Sequence, residues 1–143
     1  MSTIDVSMLG PGDAAVLDNV ADDVFDFDVR ADSLSAFLAD PNSLLAVARD
    51  GNTVVGMTSA LLYVHPDKPL QMFINEVGVA GPWRRRGIGK ALVTRMLDEA
   101  RTRGCEEAWI ATETSNDAAR ALYTATGGIE DDERAVVYTW RLR

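Results

Sequence analysis

The spacing of apolar residues along the chain alternates between the period of a strand and the period of a helix. Strand-like segments are expected at 3–8, 43–49, 53–64, 70–79, 107–113 and 135–142. Helical spacing is expected at 13–25, 32–40, 87–103 and 116–126. The order, with hairpins first and strand–helix steps afterwards, predicts one mixed α/β (α+β) domain over 1–143. Its central sheet is twisted and mostly antiparallel, with about four flanking helices.

Short polar signals mark where these elements begin and end. Asp13 is expected to cap the first helix, and Asp32 or Ser33 the second. The tripeptide at 50–52, Asp-Gly-Asn, is a strong hairpin signal. Glycine at 104 predicts the end of the long helix, and Asn116 is a good cap for the last one.

Composition excludes several classes of function. The net charge of −8 argues against nucleic acid and anionic membrane as partners and weakly favours a cationic ligand. No apolar run reaches the roughly 20 residues of a membrane span, and no signal peptide is evident. The single cysteine, Cys105, fits a reducing cytoplasm and is interpreted as a small buried residue. One histidine and one cysteine are too few soft ligands for a metal site, so none is expected.

A dense basic segment stands out in this acidic chain. Arg84, Arg85, Arg86 and Lys90 lie within seven positions, between a predicted strand and the long helix. The first N–H groups of a helix lack internal partners and carry partial positive charge. The glycines at 87 and 89 let an anion approach the backbone closely. The segment therefore predicts a pyrophosphate site, although a solvated basic turn is the plainer alternative.

Two common nucleotide motifs do not match this turn. A phosphate-binding loop of the Walker type needs Ser or Thr after the lysine, but Ala91 follows Lys90. A dinucleotide fingerprint needs a third glycine where Leu92 stands. Both motifs are therefore disfavoured.

The spacing Arg84-x-x-Gly87-x-Gly89 resembles the acetyl-CoA signature of the GNAT superfamily of N-acetyltransferases. It follows a strand that ends Glu-Val-Gly-Val at 76–79. A second element of the family, Asn-Asp-Ala-Ala-Arg-Ala-Leu-Tyr at 116–123, follows with Gly-Gly at 127–128. The order of elements also matches along the whole chain, so the resemblance implies a GNAT-type domain that uses acetyl-CoA.

The resemblance assigns a cofactor site and two catalytic groups. It implies that pantetheine pairs with the backbone of Val77 and Val79, and that Asn116 and Ala119 contact the cofactor. It implies that the pyrophosphate binds to the turn formed by Arg84, Arg85, Arg86, Gly87, Ile88, Gly89 and Lys90. Tyr123 matches the general acid that protonates the departing thiolate, and a packed tyrosine is the alternative. Glu76 is the candidate base, with a solvated edge glutamate as the alternative. Its strand position projects it opposite to Val77 and Val79.

The acceptor is the least constrained part of the prediction. Within the superfamily the chain most resembles the short aminoglycoside 3-N-acetyltransferases, which implies a 3-amino group as the acceptor. Asp26, Asp28, Glu76 and Glu113 are the expected substrate-binding residues for a small cationic amine. More broadly, an acidic face is expected to steer it: Asp22, Asp23, Asp26, Asp28, Glu113, Glu130, Asp131, Asp132 and Glu133. The alternatives are another small amine, a polyamine or a protein amino group, and a non-catalytic acyl-CoA-binding module. A homodimer is possible, because many relatives form dimers.

Overall fold

A five-stranded sheet organises the computed structural model, which describes residues 3–143. In spatial order the strands are β1 (Ile4–Leu9), β2 (Ser43–Asp50), β3 (Thr53–Tyr63), β4 (Gln71–Val79) and β5 (Glu107–Trp109). The first four are antiparallel neighbours, and β5 runs parallel to β4. The predicted mixed, mostly antiparallel sheet is therefore confirmed.

Three α-helices accompany the sheet in the described chain, against about four that the sequence predicts. They are α1 (Ala31–Ala39), α2 (Ile88–Thr102) and α3 (Asp117–Ala125), and two short 3-10 turns lie at Ala14–Asp18 and Gly81–Trp83. The hairpin between β2 and β3 turns at Gly51, whose φ of 59° is easily adopted only without a side chain.

The core lies on both faces of the sheet. Side chains of α2 such as Leu92 and Met96 pack with Met72 on one face. Leu17 packs with Leu45 and Met57 on the other face. Successive residues of a strand point to opposite faces, so β2 is buried on both sides and has a continuous apolar run rather than an alternating one.

The first predicted helix, 13–25, is wrong beyond its first turn. Only Ala14–Asp18 is helical, as a 3-10 turn. The Asp13 carboxylate accepts a hydrogen bond from the Gly10 N–H (2.8 Å) and caps no helix. Further along, Ala21 N–H donates to the Val54 carbonyl (2.9 Å), so the chain is bridged to β3 there, and 22–27 forms turns and bends in place of the expected helix.

The cap predicted for α1 is also wrong, because the helix begins two or three residues earlier. Arg30 occupies the cap position, and the Asp32 carboxylate accepts from the Ser33 N–H (2.8 Å) inside the first turn. The caps of the other two helices agree with the prediction. Gly104 follows α2 with a φ of 84°, and the Asn116 side chain accepts from Ala119 N–H (3.1 Å) at the start of α3.

Two predicted strands differ in the structure. The strand expected over 107–113 ends at Trp109, because the chain diverges from β4 after three paired residues. The strand expected over 135–142 is absent from the described residues, since no neighbouring strand lies beside that segment to pair with it. Its alternating side chains, including Tyr138 and Trp140, are instead 75% and 76% exposed.

None of the helices in residues 3–143 is both long enough and apolar enough to cross a bilayer.

Candidate functional site

A β-bulge in β4 determines the direction of the Glu76 side chain. Ile74 pairs with Ala60 and Glu76 pairs with Ser59, so Asn75 is an extra residue in the ladder. Because side chains alternate, this insertion puts Val77 and Val79 on the α2 face together with Met72 and Ile74. Glu76 is thereby directed to the opposite face. The buried Thr58 hydroxyl donates to the Glu76 carbonyl (3.0 Å) next to the bulge.

A gap opens between β4 and β5 toward the start of α2. The two strands pair only where Gln71–Phe73 faces Glu107–Trp109. From Ile74 to Val79, no other strand of the described chain lies along this edge of β4. Because a free strand edge offers backbone hydrogen bonds, an extended ligand can bind there as an added strand. Val77 and Val79, the predicted pantetheine residues, belong to this edge.

The basic turn connects β4 to α2 through two residues in the left-handed region. Arg85 has a φ of 62°, and Gly87, directly before α2, has a φ of 78°. The side chains of Arg84, Arg85, Arg86 and Lys90 are exposed. The Arg84 guanidinium donates to the Val79 carbonyl (2.9 Å), which joins the turn to the end of β4. The Ile88 side chain is buried in the core, so only its backbone can contact a ligand.

Helix α3 closes the other side of this gap. Gly89, in the first turn of α2, lies so close to α3 that a Cβ atom there would be 3.2 Å from Leu122 Cδ2. The same point is 3.9 Å from Val79 Cγ2. The glycine is therefore needed for the close packing of α2, α3 and the end of β4. The Ala119 N–H is used by the Asn116 cap, which leaves the Asn116 amide NH2 free to donate.

Tyr123 lies on α3, beside the residue that contacts Gly89. It is half-buried, and burial raises the pKa of its phenol, with the Glu113 carboxylate raising that pKa further. Its hydroxyl is therefore held in the protonated form at neutral pH. Glu113 belongs to this side of the gap, and its backbone carbonyl accepts from Asn116 N–H (3.0 Å).

A loop at 19–30 lies over the face of β4 that carries Glu76. It is held to β3 by two hydrogen bonds: Ala21 N–H donates to the Val54 carbonyl, and Val54 N–H donates to the Asn19 carbonyl. It also rests on Gly78, where a Cβ atom would be only 2.2 Å from the Val24 carbonyl oxygen. A glycine within a strand predicts either a bulge or a close ligand contact at that position. The structure has the bulge at Asn75 instead, and Gly78 makes its close contact with this loop.

The loop, α1 and β4 line a cavity of about 320 Å³ that is open to solvent, and three of the four predicted substrate-binding carboxylates line it. Asp26 and Asp28 come from the loop and Glu76 from β4. Burial raises the pKa of the Glu76 carboxyl, and the nearby Asp26 carboxylate raises it further. A carboxylate with a raised pKa in a cavity is suited to accept a proton near neutral pH.

The remaining predicted acidic residues lie elsewhere. Glu113 is beside Tyr123 and does not line the cavity. Glu130 is bound to the Arg120 guanidinium at 2.6 and 3.1 Å, so the steering role suggested for it is not supported by its position. Two residues of the cavity wall, Leu34 and Phe37, were not identified from the sequence. Helical spacing showed only that both lie on one face of α1.

Within residues 3–143, no group of three His, Cys, Asp or Glu side chains is arranged to hold a metal ion. Cys105 is partly buried, and burial raises the pKa of its thiol. The thiol is therefore protonated and a poor nucleophile at neutral pH.

The sequence matches known acetyltransferases over most of its length. The model of the Acetyltransferase (GNAT) family matches residues 16–127. N-acetyltransferase 8F1 of Rattus norvegicus is 36% identical over 99 residues, which cover 67% of this chain and 44% of that protein. N-alpha-acetyltransferase RimI of Mycobacterium tuberculosis is 33% identical over 90 residues, or 63% of this chain and 54% of the relative. The chain thus matches about half the length of these curated relatives.

Solved structures share the fold at lower identity. An aminoglycoside acetyltransferase from an uncultured soil metagenomic sample, solved in complex with sisomicin, superposes with a TM-score of 0.80 at 21% identity. That match covers 98% of this chain and 97% of the other. The aminoglycoside N-acetyltransferase AAC(6')-Iy in complex with CoA superposes with a TM-score of 0.74 at 20% identity, covering 99% and 97% of the two chains.

The matched family region extends from the 3-10 turn before the loop at 19–30 to the end of α3, and so includes β4, the basic turn and α2. It confirms the family that the spacing at 84–89 and 116–123 indicated. This chain belongs to the GNAT family of acetyltransferases.

Proposed function

We propose that this chain transfers the acetyl group of acetyl-CoA to a primary amine by direct attack. The observation that carries the proposal is the position of Glu76, whose carboxylate lines a cavity on the face of β4 opposite to α2. The free edge of the same strand adjoins the basic turn. A single strand thus offers one face to an amine and its edge to a thioester.

The residues around the gap fit acetyl-CoA, which supplies the activated acetyl group. Exposed Arg84, Arg85 and Arg86 offer positive charge to phosphates, and the first N–H groups of α2 have no partners within the helix. The edge of β4 at Val77 and Val79 offers backbone hydrogen bonds to pantetheine. Asn116 has an amide NH2 that is not used by its cap.

Glu76 is the proposed general base. An ammonium group must lose a proton before its lone pair can attack a carbonyl carbon, either directly to a carboxylate or through water. The raised pKa of Glu76 makes it a stronger base than an exposed glutamate. The adjacent Asp26 also attracts the ammonium form of the acceptor, so binding and deprotonation occur in the same place.

Tyr123 is the proposed general acid. The raised pKa of its phenol keeps the proton available at neutral pH for the leaving thiolate. A thiol has an ordinary pKa of about 8.5, below that of a phenol, so the phenol acts by donating its hydrogen bond to the sulfur as negative charge develops there, and the proton moves only as the carbon–sulfur bond breaks.

An aminoglycoside, acetylated at its 3-amino group, is the acceptor that the sequence resemblance implies. Its several ammonium groups would be attracted by Asp26, Asp28 and Glu76 in the cavity. The similarity in fold to aminoglycoside acetyltransferases supports this choice of acceptor. Because one of those neighbours is of the AAC(6') type, the 3-amino position itself rests on the sequence resemblance alone.

A second candidate is another small amine, a polyamine or a protein amino group. The named relatives at 33–36% identity favour it, since they are called N-acetyltransferase 8F1 and N-alpha-acetyltransferase RimI. A non-catalytic acyl-CoA-binding module is disfavoured, because such a module would need neither Glu76 nor Tyr123.

A thiol-reactive dye that detects released CoA tests these alternatives. Acetyl-CoA is supplied with gentamicin, spermidine or a simple monoamine in parallel. Amine-dependent release of thiol supports transfer to amines, and the best acceptor selects between the two candidates. Tight acetyl-CoA binding without amine-dependent release from any acceptor would favour the non-catalytic module.

A homodimer is a further part of the proposal. Val136, Tyr138, Trp140 and Leu142 alternate along the C-terminal segment and are exposed. Burying a row of large apolar side chains between two copies is favourable. Sedimentation equilibrium of the full chain, compared with Trp140→Ser, tests this, and an unchanged monomer in both would exclude it.

A further inference from the structure

The acceptor cavity, lined by the loop at 19–30, α1 and β4, is small for a ligand site. Its volume of about 320 Å³ is at the low end of the roughly 300–1,000 Å³ typical of small-molecule sites. A ligand with several sugar rings would extend far into solvent from it. The cavity therefore favours a compact acceptor, most of whose atoms can contact the cavity wall.

Hydrocarbon forms most of the cavity wall. Leu17 and Leu45 are buried members of the core cluster on this face, and Phe25, Leu34 and Phe37 pack against that cluster. None of these side chains can form a hydrogen bond. A hydroxyl group placed against this wall would lose water without replacement, and each such loss weakens binding by roughly tenfold.

The polar side chains that line the cavity are Asp26, Asp28, Arg30, Ser33 and Glu76, and three of these five are carboxylates. Its carboxylates are Asp26, Asp28 and Glu76, and Asp26 is close enough to Glu76 to affect its titration. Asp26 and Glu76 therefore mark where an ammonium group binds. Phe25, next to Asp26 in sequence, and Phe37 on α1 provide an apolar surface for the rest of the acceptor.

We propose that the acceptor is a primary amine attached to a compact hydrocarbon body, such as an aralkylamine. The nitrogen binds at Asp26 and Glu76, and the hydrocarbon packs against Phe25, Leu34 and Phe37. This inference rests on the proposed acetyl transfer and narrows its acceptor class. It ranks such amines above linear polyamines, whose methylene chains are interrupted by further charged nitrogens, and above polyhydroxylated aminoglycosides.

Steady-state kinetics at saturating acetyl-CoA compare 2-phenylethylamine, spermidine and gentamicin. We expect kcat/KM for 2-phenylethylamine to exceed the other two values by roughly tenfold or more, because a hydroxyl or further ammonium group placed against Leu34 and Phe37 would find no hydrogen-bond partner there. A higher kcat/KM for gentamicin or spermidine would overturn the inference while leaving acetyl transfer intact.

Variants of Phe37 test the wall directly. Phe37→Ala should raise KM for 2-phenylethylamine by roughly tenfold through lost apolar contact, and Phe37→Leu should restore most of that loss. The matched control is Phe73→Ala, which removes a phenylalanine that packs on Trp109 outside the cavity (ring centroids 4.5 Å apart). Equal KM values in Phe37→Ala, Phe73→Ala and the unmodified chain would overturn the inference.

Calorimetry distinguishes three causes of a negative result: an acceptor site that does not bind the hydrocarbon, a reaction that does not occur, and a variant that does not fold. Acetyl-CoA affinity should be the same in all three variants, which shows that each is folded. If no amine is acetylated, the proposed function is wrong. In that case, binding of 2-phenylethylamine that Phe37→Ala weakens would still support an apolar amine site, and no binding would overturn it.

Discussion

The Asp26 carboxylate lies close enough to the Glu76 carboxyl to raise its pKa, although the two residues are 50 positions apart. Asp26 belongs to the loop that rests on Gly78, and Glu76 belongs to β4 beside the bulge at Asn75. The pKa of Glu76 therefore depends on how the loop at 19–30 packs against β4.

Asp26→Asn should lower the pKa of Glu76, because it removes a like charge while leaving the shape of the side chain unchanged. The acidic limb of the kcat/KM profile should shift to lower pH. Burial, the larger cause of the raised pKa, remains in the variant. The acidic limb should therefore still lie at a higher pH than an exposed glutamate would give. Asp22→Asn, an exposed change in the same loop, is the control and should not shift it. An identical limb in the Asp26 variant would contradict the coupling.

Gly78→Ala should unseat the loop, because a Cβ atom 2.2 Å from the Val24 carbonyl oxygen cannot be accommodated without a backbone shift. We expect an acceptor KM raised about tenfold and a free energy of unfolding lowered by about 1–3 kcal/mol. Gly10→Ala is the matched control, because its added Cβ would meet only an ordinary contact at 3.9 Å. Urea unfolding and acceptor kinetics measure both effects. An unchanged KM would show that the loop does not form the acceptor site.

Tyr123→Phe should lower kcat by about 10²-fold if the phenol protonates the leaving thiolate. Acetyl-CoA affinity should change little, because the ring stays in place. Tyr63→Phe is the control. The Tyr63 hydroxyl donates a hydrogen bond to the Gln71 side chain (3.0 Å), and this contact does not border the gap. If the Tyr123 variant kept its kcat, the tyrosine would have a packing role only.

Gly89→Trp should weaken CoA binding by about tenfold or more, since the point where its Cβ would lie is already 3.2 Å from Leu122. The indole must displace α3 or enter the gap beside β4. Thr94→Trp, at an exposed position of the same helix, controls for the added bulk. Calorimetry with CoA measures both variants. Equal affinity for the two would mean that the cofactor site lies elsewhere.

The sheet was predictable because its strands are bounded by strong local signals. Gly51 marks the β2–β3 hairpin, and the apolar run of β2 predicts burial on both faces. The basic turn was predictable for the same reason: its arginines and glycines are contiguous in sequence. The catalytic roles of Glu76 and Tyr123 were predicted from the family resemblance, and they remain predictions.

Elements that depend on distant partners were not predictable. The segment after Asp18 has helical spacing, but the hydrogen bonds of Asn19 and Ala21 to Val54 exclude a helix there. The pattern over 135–142 is typical of a strand, yet pairing requires a neighbour that the described chain does not provide. The contact between Gly78 and Val24 and the wall at Phe37 follow from the path of the loop, which the sequence does not specify.

The most direct test of the proposed reaction compares the pH dependence of kcat/KM for the unmodified chain and Glu76→Gln with the same acceptor amine. If Glu76 is the base, the variant should be slower by about 10²-fold or more at pH 7. The difference should shrink as the pH approaches the pKa of the amine, where the solvent supplies free amine. Equal activity of the two proteins at every pH would contradict a catalytic role for Glu76.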